Sequence, residues 1–393
     1  MMQMTAPRIG IIGPVDLINH QPVGGLSGFL SNVLGVFRFP VRVYGLAVNR
    51  KAKRWAPVSL SANVQFLPVA SVRYPSPIPM RLKALLAYSR NRSRILSDGL
   101  DLLYIHSVES ALPFLFGKNR VPTVYHQHGS HNPVQLSGYR LARLKAFQFI
   151  FDKMLNLVHR RSDWTIAIDA HCREQVIRSG AGHKVSLLMN GVNTEMFRPD
   201  LQARQRMRER FLLEKKRVIL FVGRLEEGKG TDNLLEALNI LNAREEAYCA
   251  FFIGEGRQKK FLQELVDKRH MEQAVSFPGA IPHHQLRDFY NMADVLLLPS
   301  EREGIPMVVL EALASGTPVV ATDVGGVGNL VSDGKNGILL KTNAPESLAH
   351  AVLRIFDLPM DRESIARGAE PFGAERTVLE LKKIFDKLAA PAE

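Results

Sequence analysis

Cysteine is nearly absent: Cys172 and Cys249 are the only two in 393 residues, and they stand far apart. Such a pair supports neither a disulfide framework nor a zinc site, and it suits a reducing compartment. No run is long and apolar enough to span a bilayer, and the N-terminus, MMQMTAPRIGIIG, lacks a signal-peptide layout, so a cytosolic chain is expected. Acidic residues are scarce in the first half. Met1–Val192 holds 24 Lys and Arg against 8 Asp and Glu, a net +16, whereas Asn193–Glu393 holds 27 against 30, a net −3. That asymmetry points one half towards an anionic membrane or a phosphorylated substrate. Nucleic acid is not expected, because the basic half has no zinc-finger spacing, no RNP-like aromatic motif and no long basic run.

The composition, 46% apolar and 23% charged over this length, supports packed cores in two domains. The chain is organised around Asp294 to Gly326, DVLLLPSEREGIPMVVLEALASGTPVVATDVGG. It reads as a buried strand over Asp294–Pro299, a polar loop with Glu303 and Gly304, a helix opened by Pro306 and closed by Gly316, and a second strand, Val319–Thr322. In such a βαβ unit the loop falls at the carboxyl end of a strand and the amino end of a helix, where ligands bind and unpaired amides favour an anion. Glu303 and Glu311 flank this joint. Taken singly, one is a loop acid and the other a solvated helix residue; taken together they suggest a site.

The first half alternates strands and helices from RIGIIG (Arg8–Gly13) onwards. Gly24–Gly25, just before a helix over Ser27–Phe37, lets backbone amides approach a phosphate, although it is not a Gly-x-Gly-x-x-Gly fingerprint. Met80–Leu96 and Tyr139–Arg161 are basic and amphipathic. Each is either an ordinary surface helix with its stripe in the core or a helix on an anionic membrane, and the charge asymmetry favours a membrane for at least one. DLLYIH and VYHQH end in histidine at strand ends. The trio His126, His128 and His131 raises the question of a metal, but no clustered Cys or carboxylate completes a ligand set, and none is expected. His128 beside Gly129 suits a hydrogen bond to a substrate hydroxyl. A linker rich in Arg and Glu then leads to VILFVGRLEEGKG, where Arg224 and Lys229 follow a strand and could neutralise a diphosphate. Repeated βα spacing through the second half gives a parallel doubly wound sheet.

GRLEEGKG, FIGEG, SFPGAIPHHQL and EREGIPMVVLEALASGTPVVATDVGG, in this order, resemble the donor-binding half of the retaining GT-B glycosyltransferases of family 4. The resemblance is strong over Val218–Asn336 and looser in the first half, through RIGIIG with Gly24–Gly25, DLLYIH, VYHQHG and MNGVNTEMFRPD, with Asn193 where the family has Asp. The closing segment FGAERTVLELKKIF is similar to the family's last helix without its usual Trp. The resemblance implies an α/β fold of two facing Rossmann-like doubly wound parallel-sheet domains with a cleft between them. It implies domains over residues 1–192 (acceptor-binding), 193–372 (donor-binding) and a closing helix, 373–393, packed back on the first.

It also implies roles. Glu311 would bind the ribose hydroxyls and Glu303 would sit near the donor sugar. The amides of Gly304, Ile305, Met307 and Val308 would hold sugar hydroxyls and phosphate, while Arg224 and Lys229 would neutralise the departing diphosphate. Backbone near Ile281 would read the base, with Gly254 allowing its approach; Gly24 and Gly25 would touch the diphosphate and His128 a sugar hydroxyl. His106 and His126 are read as structural. The chain contains no Asp-x-Asp, so charge neutralisation by these groups fits better than Mg²⁺, and no cofactor is expected beyond a UDP- or GDP-type sugar donor. The reaction expected is same-face substitution onto a lipid-linked or cell-envelope glycan, at the cytosolic membrane face. The alternatives are a non-catalytic sugar-nucleotide-binding module and a sugar-nucleotide epimerase of the same fold.

Overall fold

The computed structural model describes residues 7–18, 25–49, 53–73, 76, 78–117, 120–129, 144–244 and 247–390. Gly24, His131 and the start of the expected Tyr139–Arg161 helix lie outside the described residues. The first half contains β1 (Ile9–Ile12), α1 (Gly25–Leu34), β2 (Val41–Val48), β3 (Val58–Ser59), β4 (Val64–Val72), α2 (Met80–Leu96) and β5 (Leu102–Ile105). It continues with α3 (Val108–Ala111), β6 (Thr123–Gln127), α4 (Lys145–Arg161), β7 (Trp164–Ala167), α5 (Ala170–Val176) and β8 (Val185–Leu187). The second half contains α6 (Leu201–Arg210), β9 (Arg217–Val222), α7 (Thr231–Asn242), β10 (Tyr248–Ile253), α8 (Lys259–Lys268), β11 (Val275–Gly279) and α9 (His283–Met292). Then come β12 (Val295–Leu298), α10 (Met307–Ala314), β13 (Val319–Thr322), β14 (Gly337–Leu340), α11 (Pro345–Asp357), α12 (Arg362–Ala369) and α13 (Ala374–Ala389).

Two compact α/β units result. One comprises Met1–Pro22, Val33–Asn190 and Thr377–Glu393, the other Val23–Asn32 and Gly191–Arg376. The boundaries expected after residues 192 and 372 fall at Asn190/Gly191 and Arg376/Thr377, and in addition the head of α1 groups with the second unit. The first unit's sheet runs β3-β4-β2-β1-β5-β6-β7-β8, parallel except where β3 meets β4. Its core includes Tyr44, Tyr88, Leu103 and Phe114. Within this unit Phe385 of α13 meets Tyr104 at 5.2 Å between ring centroids, and Lys387 lies 4.4 Å from the Trp164 ring centre.

The second unit's sheet runs β11-β10-β9-β12-β13-β14, all parallel. β9, β10, β12 and β13 read VILFV, YCAFFI, VLLL and VVAT, near-continuous apolar runs, because helices cover both faces of a parallel sheet. Strand order reverses at β1/β5 in the first sheet and at β9/β12 in the second. Those are the places where an open parallel sheet leaves a crevice at its carboxyl edge.

The expected linker before Val218 is corrected by α6. Asp200 caps this helix by accepting from Ala203 N at 2.8 Å, and Arg204 and Arg208 both pair with Asp294. Asp294 also accepts from Val218 N at 2.7 Å, so the charge-rich segment fixes the starts of β9 and β12. Among the described residues no helix is long and apolar enough to cross a membrane.

Candidate active site

In the second unit β9 and β12 are neighbours, and each runs into a loop at its carboxyl end. The two loops are locked together. Glu301 N donates to Gly228 O at 2.9 Å, and Gly230, at φ +64°, leaves only 2.2 Å between an added Cβ and Pro299 O. This seating brings Lys229 Nζ to 2.6 Å from Glu303 Oε1. Their side chains are only 21% and 12% exposed, so water screens the pair far less than it would a surface pair. Arg224, on the same loop as Lys229, is exposed.

The Glu303 loop is also held from β13. Gly326 N donates to Gly304 O at 2.8 Å, and a Cβ on Gly325 would lie 2.0 Å from Glu303 O. The sequence showed these two glycines as the end of the central stretch without giving them this buttressing role. α10 then starts at Met307 with Pro306 as its N-cap and no side-chain cap; Val309 N turns back to Pro306 O at 3.2 Å, and the amides before it suit an anion or water. Ile305 and Met307 are buried, whereas Gly304, Val308 and Ile281 are half-buried.

Gly254 makes a close backbone contact. At φ +137° its added Cβ would sit 1.8 Å from Gly223 O, so the bare backbone lets the loop after β10 pack on the loop after β9. Gly25 heads α1 with nothing within 4 Å of an added Cβ.

Glu303 and Glu311 do not share one environment. Glu311, one turn into α10, is 1% exposed. Its Oε1 accepts from Asn32 Nδ2 at 2.9 Å and from His283 Nε2 at 2.8 Å, and its Oε2 accepts from the Tyr290 hydroxyl at 2.8 Å. The carboxylate in turn pushes the Tyr290 hydroxyl, already raised by burial, further above its ordinary range. Glu311 is thus held by three hydrogen-bond donors. Sequence reasoning missed Asn32 and His283. A lone Asn in the apolar helix GLSGFLSNVL, and a His directly after the quoted Pro282, were the available hints.

The first unit gathers three histidines at the carboxyl ends of β5 and β6. His106 Nδ1 lies 2.8 Å from His128 Nε2, and His126 Nδ1 lies 2.5 Å from the Tyr104 hydroxyl. One ligand-type nitrogen from each falls within 4.8 Å of the others. The rings stack, His126 on His128 at 4.1 Å between centroids and 26° between planes. His106 and His126 thus form the immediate surroundings of His128.

Burial holds all three rings neutral: His106 and His126 fall well below the usual imidazole range, and His128 is pushed down to about 3. Burial likewise lowers His159, which faces Gln127, to about 4. The unfolded chain protonates these rings as pH falls through about 6.5, whereas the folded chain does not until lower pH. Stability should therefore be fully present above pH 6.5 and decline from there towards about 4, by ~1.4 kcal/mol per pH unit for each ring that charges on unfolding. Denaturant unfolding at pH 7.5, 5.5 and 4.5 measures this; an unmoved midpoint would argue against buried neutral rings.

Residues 203–371 match the family model described as glycosyl transferases group 1, and residues 38–196 match that of Glycosyltransferase Family 4. The two matches divide between the two halves of the chain, which belongs to the family 4 glycosyltransferases of the GT-B class. Over 179 residues it is 33% identical to the alpha-D-kanosaminyltransferase of Streptomyces kanamyceticus, covering 45% of this chain and 46% of that one. Over 313 residues it is 25% identical to an uncharacterized glycosyltransferase of Methanocaldococcus jannaschii, covering 77% and 80%. Against the first of these the chain spans about half the relative's length. In structure it is similar to the sucrose-phosphate synthase from Thermosynechococcus elongatus, with a TM-score of 0.78 at 19% identity over 98% of this chain and 100% of that one. It is also similar to Anabaena HepE in complex with UDP-glucose, with a TM-score of 0.73 at 18% identity over 97% and 100%. At such identities these likenesses speak for the fold alone.

Proposed function

We propose that this protein transfers a sugar, with retention of configuration, from a nucleoside-diphosphate sugar to a hydroxyl of a lipid-linked or cell-envelope glycan. The observation that carries the reading is the Lys229–Glu303 pair, 2.6 Å apart, where the loops after β9 and β12 meet. A cation and a carboxylate fixed beside an uncapped helix start suit a substrate with an anionic diphosphate and a neutral, hydroxyl-rich sugar. Lys229, Arg224 and the α10 amides would take the charge that develops on the departing diphosphate, and Glu303 would hold sugar hydroxyls near the reacting carbon. The bond from the anomeric carbon to the phosphate oxygen breaks through an oxocarbenium-like state. The acceptor oxygen bonds on the same face, and its proton passes to the diphosphate. His128 would donate to a sugar hydroxyl, and no metal or other cofactor is called for.

That HepE was solved with UDP-glucose, and that a Mycobacterium tuberculosis relative is named a GDP-mannose-dependent mannosyltransferase, favours a UDP or GDP donor. Incubation with UDP-, GDP- and ADP-sugars and a glycan acceptor, with NMR assignment of the anomeric product, tests the reading. Retained product supports it and inverted product contradicts it. Binding without turnover would indicate a sugar-nucleotide-binding module, and an interconverted donor an epimerase.

The acceptor side of the reading is peripheral attachment to the cytosolic face of an anionic membrane. Of the two basic helices, α4 is the one this reading rests on. On α2, Arg92 is engaged by Pro113 O and Phe116 O, both at 2.8 Å, and Arg94 lies over Trp55 at 4.2 Å. At the start of α4, Phe147, Phe149 and Ile150 are 47%, 61% and 53% exposed, beside the exposed Lys145 and Lys153. Apolar side chains flanked by cations suit an anionic interface. Phe149→Glu with Ile150→Glu should reduce binding to phosphatidylglycerol vesicles by about tenfold or more, at unchanged nucleotide affinity. Undiminished vesicle binding would place the attachment elsewhere.

A further inference from the structure

Asn32 is fully buried, and all of its side-chain polar atoms are used. Nδ2 donates to Glu311 Oε1 and to Gly28 O, each at 2.9 Å, and Oδ1 accepts from Asn193 N at 2.8 Å. One amide thus links three pieces of the second unit: the head of α1, the first turns of α10, and the segment that opens this unit after Gly191. Close packing reinforces the link. A Cβ on Gly28 would meet Met307 Cβ at 3.4 Å and Glu311 Oε1 at 3.9 Å, so the α1 head lies directly against the start of α10. The contact grouping agrees, since Val23–Asn32 joins the second unit while the chain on either side does not.

Glu311 has the character of a fixing group. A carboxylate offers about four acceptor positions, and among the described residues three are filled by Asn32, His283 and Tyr290. A carboxyl group with 1% exposure is costly to bury unless it is hydrogen-bonded, so these contacts are stiff ones. Asn193, where the family resemblance has Asp, keeps the turn that presents its amide to Asn32: its own Oδ1 accepts from Glu195 N at 3.1 Å and Met196 N at 3.0 Å.

We propose that Asn32 and Glu311 are positioning residues that hold the start of α1, with Gly25, in register with the start of α10, so that two helix starts face the donor's diphosphate. The proposal rests on the donor reading above and adds a role for Glu311 that requires no contact with ribose. It predicts that breaking the Asn32–Glu311 bond removes affinity belonging to the second phosphate, with little effect on affinity belonging to base and ribose.

The test is titration of the full chain with UDP and UMP, and in parallel with GDP and GMP, scoring whichever pair binds tighter. Asn32→Ala should weaken the diphosphate by about tenfold and the monophosphate by less than about threefold. Asn32→Asp, which sets a second carboxylate against Glu311, should weaken it further. Equal losses for mono- and diphosphate in a variant that unfolds at the starting temperature would overturn the proposal. Should Asn32→Ala not fold, Asn32→Ser, whose one hydroxyl cannot serve Glu311, Gly28 O and Asn193 N together, decides by the same ratio. If the unaltered protein shows no preference for the diphosphate, it is the donor reading that fails.

Discussion

Glu303→Ala is expected to lower kcat for sugar transfer by about 10²–10³-fold, the loss typical of removing one preorganised group at a reacting centre. Glu303 accepts from Lys229 at 2.6 Å, so its position is set before any donor arrives. The same contact defines Lys229→Ala. That change should act mainly on donor affinity, because the cation's target is the diphosphate in both ground and transition states, and it also leaves Glu303 with an unpaired, mostly buried charge. The two effects should not add: the double variant should be no more than about tenfold worse than Glu303→Ala, since the residues act as a unit. Single-turnover and steady-state rates on each variant measure this. A Glu303→Ala enzyme within threefold of the starting protein would remove Glu303 from the reacting centre.

Gly254→Ala should be the most destabilising single methyl in the second unit, costing about 3 kcal/mol or more. Two independent causes act together. The φ of +137° is strained for any residue with a Cβ, and that Cβ would stand 1.8 Å from Gly223 O, where the obstacle is backbone and cannot rotate away. Gly223 directly precedes Arg224, so relief by loop movement would displace the cationic loop as well. Denaturant unfolding together with nucleotide titration reads both effects. Wild-type stability and affinity would show that the loop after β10 is not seated as described.

What the sequence made legible follows from what each segment's neighbours demand. β12, α10 and β13 were readable because a buried parallel strand needs a continuous apolar run, and because Pro306 and Gly316 mark the helix ends in the backbone's own terms. α6 was not: LQARQRMRER is polar almost throughout, and its reason for being helical is tertiary, the convergence of Arg204 and Arg208 on Asp294, 90 and 86 residues away. The site divided in the same way. Lys229 and Glu303 were placed by loop position, since strand ends hold the polar groups of an open sheet. Their pairing was not legible, because it depends on Gly230 and Gly325 letting three loops touch.

Glu311 shows the converse case. Its place in the chain resembles a donor-binding carboxylate, yet its surroundings come from Asn32, 279 residues earlier, which no local pattern reveals. The histidines differ again. VYHQH shows two strand-end rings, but only the pairing of β5 with β6 brings His106 against them.

The central claim is that the loops joined by Lys229 and Glu303 bind the diphosphate of a sugar donor. Calorimetric titration of UDP, GDP and ADP into the full chain and into Lys229→Ala tests it most directly. The account predicts saturable one-to-one binding of at least one nucleotide, weakened by about tenfold or more in Lys229→Ala. Binding of none of the three, or equal affinity in the two proteins, would contradict it.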